Sequence, residues 1–331
     1  MRFLRTSFYA LAVVALAGCG GGSSLPAASN FGSGPVGFDP GTIWVVHTGS
    51  VAAYPVDGNG MVTPQAGLQF PWPGVVLSTP GVTDVAVAPD GTPWVLLRYD
   101  LIEQNPGGWQ LYGSVPRAGA PQSTAGANAG EAFGLAVGRD GILVGINDPA
   151  PGFNGPGVLS IATYPFAPNV KASAIRTFVD TGTMRGFATN SAGELYVARP
   201  DRLDVYASTS TGCCPIRTIM TSTPPAGGFK IGPDNSIYTT DLSGSGSTTK
   251  FFVDVYPPGS GQVGRRIGPV PAFFDGFGSP QIAVDSKNRV YVATSQQIFR
   301  FAPGANGNDA PEHVFSVSPG DAAAVAIGPK L

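Results

Sequence analysis

The chain has 331 residues, of which 47 are Gly and 32 are Pro, while charged residues make up only 12%. The apolar content of 43% excludes a chain that is disordered throughout, and frequent Gly and Pro exclude long helices. Nineteen Lys and Arg against 21 Asp and Glu supply no basic surface, so we expect no nucleic-acid partner.

The first element in chain order is a leader, residues 1–18. It has a basic start and an apolar run over residues 8–17, which is too short to span a bilayer and is typical of a signal peptide. Its end, Leu16-Ala17-Gly18-Cys19, resembles a bacterial lipobox, in which the cysteine receives the lipid. The resemblance implies an extracytoplasmic lipoprotein anchored to a membrane through Cys19, the outer membrane if the source is Gram-negative.

A tether and a single large domain follow the leader. Residues 19–35 are rich in Gly and Ser and predict a flexible tether, and residues 36–331 form the predicted domain. With Cys19 lipidated, only the adjacent Cys213 and Cys214 remain. Two free thiols and a vicinal disulfide are both open alternatives for this pair.

The domain repeats one unit. The stretch "IAVDSKNRVYVATSQQIFRFAPG" aligns with four earlier stretches, each with period-two alternation, a turn rich in Asp, Gly or Asn, and a second alternating run. The turn residues fall at 91, 141, 193, 235 and 288, at spacings of 50, 52, 42 and 53. Gly or Asn at these positions predicts the positive φ that two-residue hairpins require.

A third and a fourth strand complete the predicted unit. Third strands end in Tyr54, Tyr112, Tyr164, Tyr206, Tyr256 and Phe301. Four strands per unit at this period predict an all-β fold, a β-propeller with four-stranded blades.

The two chain ends continue the series of turns. Gly41 lies fifty residues before Gly91, and Leu331 lies forty-three after Asn288, which makes six intervals and predicts six blades. The domain begins on a second strand and ends on a first strand. We therefore expect the N- and C-terminal strands to share one blade and close the ring, leaving no exposed edge, whereas an open solenoid is the alternative.

The best copies, "QIAVDSKNRVYVAT" and "FATNSAGELYVAR", resemble the NHL-type repeat. The loops "YPPGSG" and "FAPGANGNDAP" resemble those of bacterial surface lipoproteins built from such repeats. This resemblance covers nearly the whole chain after the leader, and it implies a propeller fold rather than an activity.

Two rings of positions near the predicted channel are candidate sites. The first precedes each inner strand and is mostly small: Asp84, Gly134, Gly186, Gly228, Gln281 and Ala324. The second follows each second strand and is varied and polar: His47, Leu97, Asn147, Arg199, Asp241 and Thr294. A ligand site would use His47 as a base, Asp241 as its orienting group or a metal ligand, and Arg199 to hold an anion. By resemblance to gluconolactonase-like enzymes, Asn147 and Asp241 sit at positions comparable to metal ligands. Solvated strand ends are the alternative interpretation.

These patterns favour a non-catalytic binding scaffold over an enzyme. We expect a monomer without a cofactor that binds a protein, a glycan or a cell-wall component, through loops such as residues 70–74. The competing hypothesis is a hydrolase or lyase assisted by a divalent metal, similar to gluconolactonases or streptogramin lyases. The glutamate expected of the former is missing, and His313 is predicted on an outer strand, away from the channel, so no catalytic residue is assigned. A structural role in the cell envelope is a third alternative.

Overall fold

The structure is a computed structural model that describes part of the chain. The described residues are 40–47, 50–69, 78–100, 108–113, 122–127, 131–148, 158–166, 174–180, 184–221, 229–243, 250–270, 281–294, 296–317 and 324–329. All of them belong to one compact unit, Gly32–Leu331, and the predicted leader and tether lie outside them. Within these ranges no helix has the length and apolarity needed to cross a bilayer.

The alternating segments form twenty-five strands, numbered in chain order, which make six antiparallel sheets. Six second strands are β1 (Pro40–His47), β6 (Pro93–Asp100), β10 (Gly141–Asp148), β14 (Leu195–Ala198), β18 (Ile237–Ser243) and β22 (Val290–Ala293). Six inner strands are β5 (Ser78–Val87), β9 (Glu131–Val137), β13 (Gly186–Thr189), β17 (Phe229–Ile231), β21 (Gln281–Val284) and β25 (Ala324–Pro329).

The other half of each sheet lies further from the centre. The third strands are β2 (Ser50–Pro55), β7 (Gly108–Gly113), β11 (Val158–Pro165), β15 (Arg202–Tyr206), β19 (Lys250–Tyr256) and β23 (Gln297–Phe301). The outer strands are β4 (Ala66–Gln69), β8 (Gln122–Ala127), β12 (Arg176–Asp180), β16 (Arg217–Met220), β20 (Arg265–Val270) and β24 (His313–Ser316). The remaining strand, β3 (Gly60–Met61), pairs in parallel with β24.

The inner strands form a closed ring. Each contacts the next in the order β25, β5, β9, β13, β17 and β21, and β21 contacts β25 again. Five sheets take their principal strands from one continuous stretch of chain, whereas the sixth combines β25 with β1, β2 and β4. The predicted pairing of the two chain ends is present, with Val45 opposite Val325. The fold is a β-propeller, as the repeat predicts.

Hydrophobic residues fill the spaces between the sheets. Six buried clusters each join two neighbouring sheets, so the core surrounds the ring rather than lying at its centre. One repeat position on the second strands carries a large aromatic side chain in five sheets, as the repeat alignment predicts. These buried side chains are Trp44, Trp94, Tyr196, Tyr238 and Tyr291.

The turns between inner and second strands differ from the predicted two-residue hairpins. Gly91, Gly193, Asn235 and Asn288 have the predicted positive φ, but each ends a three-residue loop, because the carbonyl three residues earlier accepts its N–H. Gly141 lies in a shorter turn and is not among the residues with positive φ. A Cβ there would lie 2.0 Å from the carbonyl oxygen of Tyr164, so close packing requires this glycine.

The outer edges of four sheets are covered by a neighbouring sheet. In each pair, the segment between the third and fourth strands of one sheet lies along the outer strand of the other. The contacts are Val179 with Thr211, Met220 with Gly261, Arg266 with Gly307 and Phe315 with Gly60. The last contact adds β3 to a sheet, so the prediction of six four-stranded blades is wrong. Five sheets have four strands and one has five.

Candidate functional site

A cavity of about 130 Å³ lies between the inner strands, and all six of them line it. One position on these strands carries alanine in five sheets and Lys230 in the sixth. This position lies two residues after the predicted ring of small residues, on the same strand face. The five alanines are Ala86, Ala136, Ala188, Ala283 and Ala326.

The size of this cavity limits what it can bind. Pockets for small-molecule ligands have volumes of roughly 300–1,000 Å³. The central cavity, at about 130 Å³, lies well below that range. The described part of the cavity has room for an ion or a molecule of a few heavy atoms.

Asp84 belongs to the first predicted ring and starts the buried part of its inner strand. Its carboxylate accepts N–H groups from Val85 and from Leu135 of the next inner strand, each at 2.8 Å. Burial raises the pKa of the Asp84 carboxyl, and the charge of Lys230 and the two N–H groups oppose only part of that rise. Asp84 therefore connects two inner strands.

Asp285 lines the cavity, but its carboxylate is engaged within its own sheet. One oxygen accepts the N–H groups of Lys287 and Arg289 at 2.8 and 2.9 Å. The other accepts from Arg289 Nε at 2.6 Å and from the Tyr291 hydroxyl at 3.1 Å. Burial raises the pKa of Tyr291 above its usual range, and the Asp285 charge adds to the rise. These contacts fix the turn that follows the inner strand.

The second predicted ring does not line the described part of this cavity. His47 is buried, with Nε2 3.1 Å from the Tyr54 hydroxyl. Thr294 donates its hydroxyl to the Gln297 carbonyl at 3.1 Å. Asn147 lies in β10 opposite Leu159, and its side chain, like that of Leu97, lies outside the described residues. The ring as a ligand site stays a prediction.

Arg199 lies in a buried charge cluster of its own sheet. Its Nε is 2.9 Å from Asp204 Oδ2, and one of its terminal nitrogens donates to the Tyr206 hydroxyl at 3.0 Å. The other oxygen of Asp204 accepts from Arg202 Nε at 3.0 Å and from the Thr218 hydroxyl at 3.1 Å. Burial raises the pKa of Asp204, but the bonds from the arginines and Thr218 outweigh it and lower the pKa.

Asp241 is held by an arginine of the outer strand. One terminal nitrogen of Arg266 donates to Asp241 Oδ2 at 2.8 Å and also to Asp254 Oδ2 at 2.8 Å. Arg266 Nε donates to Asp254 Oδ1 at 2.6 Å, and its guanidinium lies 5.0 Å from the centre of the Phe252 ring. The structure thus places His47, Arg199 and Asp241 in three separate clusters.

In the described ranges, no group of three or more His, Cys, Asp or Glu side chains is placed so that it could hold a metal ion. Cys213 and Cys214 are exposed and form no disulfide, which settles the alternatives between free and bridged thiols for this structure. Both lie in the loop that precedes β16. His313 begins outer strand β24, as predicted. The predicted binding loop at residues 70–74 lies outside the described residues.

A second candidate surface lies on the outer strands of two neighbouring sheets. Ile175, Val179, Ile216 and Met220 are exposed by 53%, 45%, 57% and 60%, which is unusual for large apolar side chains. With the exposed threonines between them they form the outer-strand patch. Its members are Ile175, Thr177, Val179, Ile216, Thr218 and Met220.

The two halves of the outer-strand patch lie at matched positions of adjacent sheets, on the faces opposite to the buried Phe178 and Ile219. The loop leading into Ile216 reaches the other strand, where Val179 N donates to the Thr211 carbonyl at 3.1 Å. Ile175 and Ile216 donate their N–H to the third strand in the same way as the residues that immediately precede three other outer strands. Those residues are Gln65, Gly264 and Glu312. The copies "IRTF" and "IRTI" signal this surface in the sequence, once alternation assigns isoleucine and threonine to one face.

Comparison with known proteins supports the fold and goes no further. Neither a protein-family model nor a curated protein matches the chain. A protein of unknown function from Bacteroides caccae has a TM-score of 0.55 at 12% identity, covering 88% of this chain and 99% of that one. The structure of a nidogen–laminin complex has a TM-score of 0.55 at 12% identity, with coverages of 87% and 98%. The periplasmic gluconolactonase of Pseudomonas aeruginosa has a TM-score of 0.50 at 14% identity, with coverages of 88% and 100%.

Proposed function

We propose that the protein is a six-bladed propeller of the NHL-like kind that serves as a binding scaffold on the outside of a cell membrane. Each of the six sheets counts as one blade, including the five-stranded one. Support for this number comes from the ring of inner-strand contacts and from the hydrophobic cluster between each pair of neighbours. The repeats "QIAVDSKNRVYVAT" and "FATNSAGELYVAR" support the NHL-like assignment.

The observation that carries the proposal is the outer-strand patch. Exposed apolar side chains recur at matched positions of two neighbouring sheets, and clusters of exposed apolar side chains mark sites of interaction. None of the six residues of the patch carries a charge. The aliphatic side chains of the patch, beside the partly exposed Arg202 opposite Met220, favour a protein partner with exposed apolar side chains over a glycan.

A scaffold is favoured over a metal-assisted hydrolase or lyase. The gluconolactonase shares the fold at 14% identity, which carries no information on activity. The cavity of about 130 Å³ is small for a substrate of that class, and the carboxylate of Asp241 is paired with Arg266. The scaffold hypothesis needs neither a large pocket nor a free carboxylate.

Charging the outer-strand patch should abolish partner binding. Ile216 and Met220 are more than half exposed, so changing both to aspartate should alter the free energy of unfolding by under about 1 kcal/mol. Desolvating two carboxylates against an apolar partner should weaken binding at least about tenfold. The measurement is crosslinking capture from an envelope extract of the source cells, followed by titration of the purified captured protein.

A matched control adds the same two charges elsewhere. Gln65→Asp with Gln296→Asp, both at exposed positions outside the two sheets of the patch, should bind like the wild type. Equal binding by the patch variant would contradict a protein site on these strands. Concentration-dependent dimerisation that the patch variant abolishes would assign the patch to a second copy of the chain instead.

Changing Cys19 to serine should release the protein from the membrane. The proposed lipid attaches to this thiol, and acyl chains contribute about 0.8 kcal/mol per buried methylene, so stable anchoring needs them. Fractionation of cells expressing the full chain should show the wild type in the membrane pellet and Cys19→Ser in the soluble fraction. Cys213→Ser is the control and should stay in the pellet. Retention of Cys19→Ser in the pellet after a salt wash would contradict the anchor.

A further inference from the structure

Lys230 departs from a pattern that the other five sheets follow. At its position on the inner strand those sheets carry alanine, and all six residues line the central cavity. Lys230 is half-buried and pairs across its sheet with Tyr238. A cation among alanine and valine side chains in a small cavity can pair with an anionic ligand.

No described residue accepts a hydrogen bond from the Lys230 ammonium, although two carboxylates lie near the cavity. Asp84 belongs to the inner strand opposite β17 in the ring; the charge of Lys230 opposes the rise in the pKa of its carboxyl, whose oxygens each accept one backbone N–H group. Asp285 is engaged by Arg289 and Tyr291. Lys230 is thus the one cation among the described residues that line the cavity.

The side chains that line the cavity limit the chemical class of ligand that it can bind. Alanine and valine side chains surround most of the cavity, with hydroxyls only from Thr189 and Ser286. A phosphate or sulfate needs several N–H donors, which these walls do not supply. A single ammonium among aliphatic walls suits a monoanion with a short apolar tail.

We propose that the central cavity binds a short-chain aliphatic carboxylate, with Lys230 pairing its carboxylate group and the alanine ring contacting its tail. The volume of about 130 Å³ fits a ligand of four to six heavy atoms, roughly acetate to butyrate. This site is independent of the outer-strand patch, so either proposal can fail without the other.

Calorimetric titration of the purified protein tests the site. Acetate, propionate and butyrate are titrated at constant ionic strength, with chloride and phosphate as comparison anions. The wild type should bind at least one carboxylate saturably, and Lys230→Ala should weaken that binding about tenfold or more because the charge-assisted bond is lost. Lys230→Met, which keeps the length of the side chain, should be as weak as Lys230→Ala.

Lys287→Ala, which removes an exposed lysine next to the cavity-lining Ser286, is the matched control and should bind like the wild type. Lys230→Ala restores the residue of the other five sheets, so we expect it to fold. Lys230→Met gives the same test if it does not. No saturable binding of any carboxylate by the wild type, unchanged binding by both Lys230 variants, or tighter binding of phosphate than of butyrate would each overturn the proposal.

Discussion

Replacing Asp204 with alanine should lower the free energy of unfolding by about 3–5 kcal/mol. The change leaves the guanidinium of Arg199, which is only 6% exposed, without its buried counter-charge. It also removes the acceptor for Arg202 and Thr218. Equilibrium denaturation in guanidinium chloride at pH 7 measures the loss.

The neighbouring Asp201 supplies the control. Its carboxylate is 60% exposed and lies 3.3 Å from Arg202, so Asp201→Ala should change the stability by less than about 1 kcal/mol. An equal loss in the two variants would show that the buried cluster does not contribute as proposed.

The Asp204 carboxyl should also make the free energy of unfolding depend on pH in the acid range. Folding lowers the pKa of Asp204 from its ordinary value of 3.8, so its stabilisation is present above that value and is lost as the pH falls through the folded pKa. The difference in stability between wild type and Asp204→Ala should be constant from pH 7 to about 5 and shrink below about pH 4. A difference that grows on acidification would contradict the direction of the shift.

Replacing Arg300 with methionine should cost about 2–4 kcal/mol, because this residue joins the two ends of the chain. Its guanidinium donates to the carbonyl of Val56 at 3.0 Å and to Asp57 Oδ1 at 2.5 Å, and it lies 3.2 Å from Glu312. Arg300 is 6% exposed, and methionine keeps most of its volume while losing every one of these bonds. Denaturation at pH 7 measures the loss of stability.

Arg217→Met is the matched control for Arg300. Arg217 also pairs with an acid, Glu194 at 2.8 Å, but its side chain is 45% exposed, so the expected cost is under about 1 kcal/mol. Limited proteolysis supplies a second readout, since Arg300→Met should increase cleavage within residues 56–65 and Arg217→Met should not. If Arg300→Met and Arg217→Met had equal effects on stability and on cleavage, the claim that Arg300 joins the two ends of the chain would be wrong.

The sequence predicts the repeat unit, its strands and the pairing of the chain ends, because alternation and turn residues are local signals that recur. It does not predict where polar side chains at strand ends point. His47, Arg199 and Asp241 occupy equivalent repeat positions, yet each has partners on other strands of its own sheet. Those partners lie at different distances along the chain, so an alignment of repeats cannot reveal them.

Lys230, in contrast, could have been identified from the sequence but was not among the predicted site residues. In the stretch "FKIGPDNSIYTTD" it aligns with alanines, and a lysine in place of alanine is a visible signal. Both predicted rings of candidate residues lie at the ends of strands. Lys230 lies in the middle of an inner strand and therefore belongs to neither ring. Β3 was missed for a different reason: two exposed residues, Gly60 and Met61, have no alternation from which a strand could be predicted.

The overlap of neighbouring sheets has a consequence for the order in which the protein matures. In each of the four contacts, a loop of one sheet covers the outer strand of the sheet before it in the ring. In the last contact the covering residue, Gly60, lies near the start of the domain and the covered residue, Phe315, lies near its end. A segment made early in synthesis therefore waits for one made about 250 residues later, which at 5–20 residues per second takes roughly 10–50 seconds. During that interval β1 lacks its partner β25, so the edge of β1 stays open to pairing with other chains. A chaperone that holds the nascent chain, or transport in an unfolded state, would protect this edge until the last strand arrives.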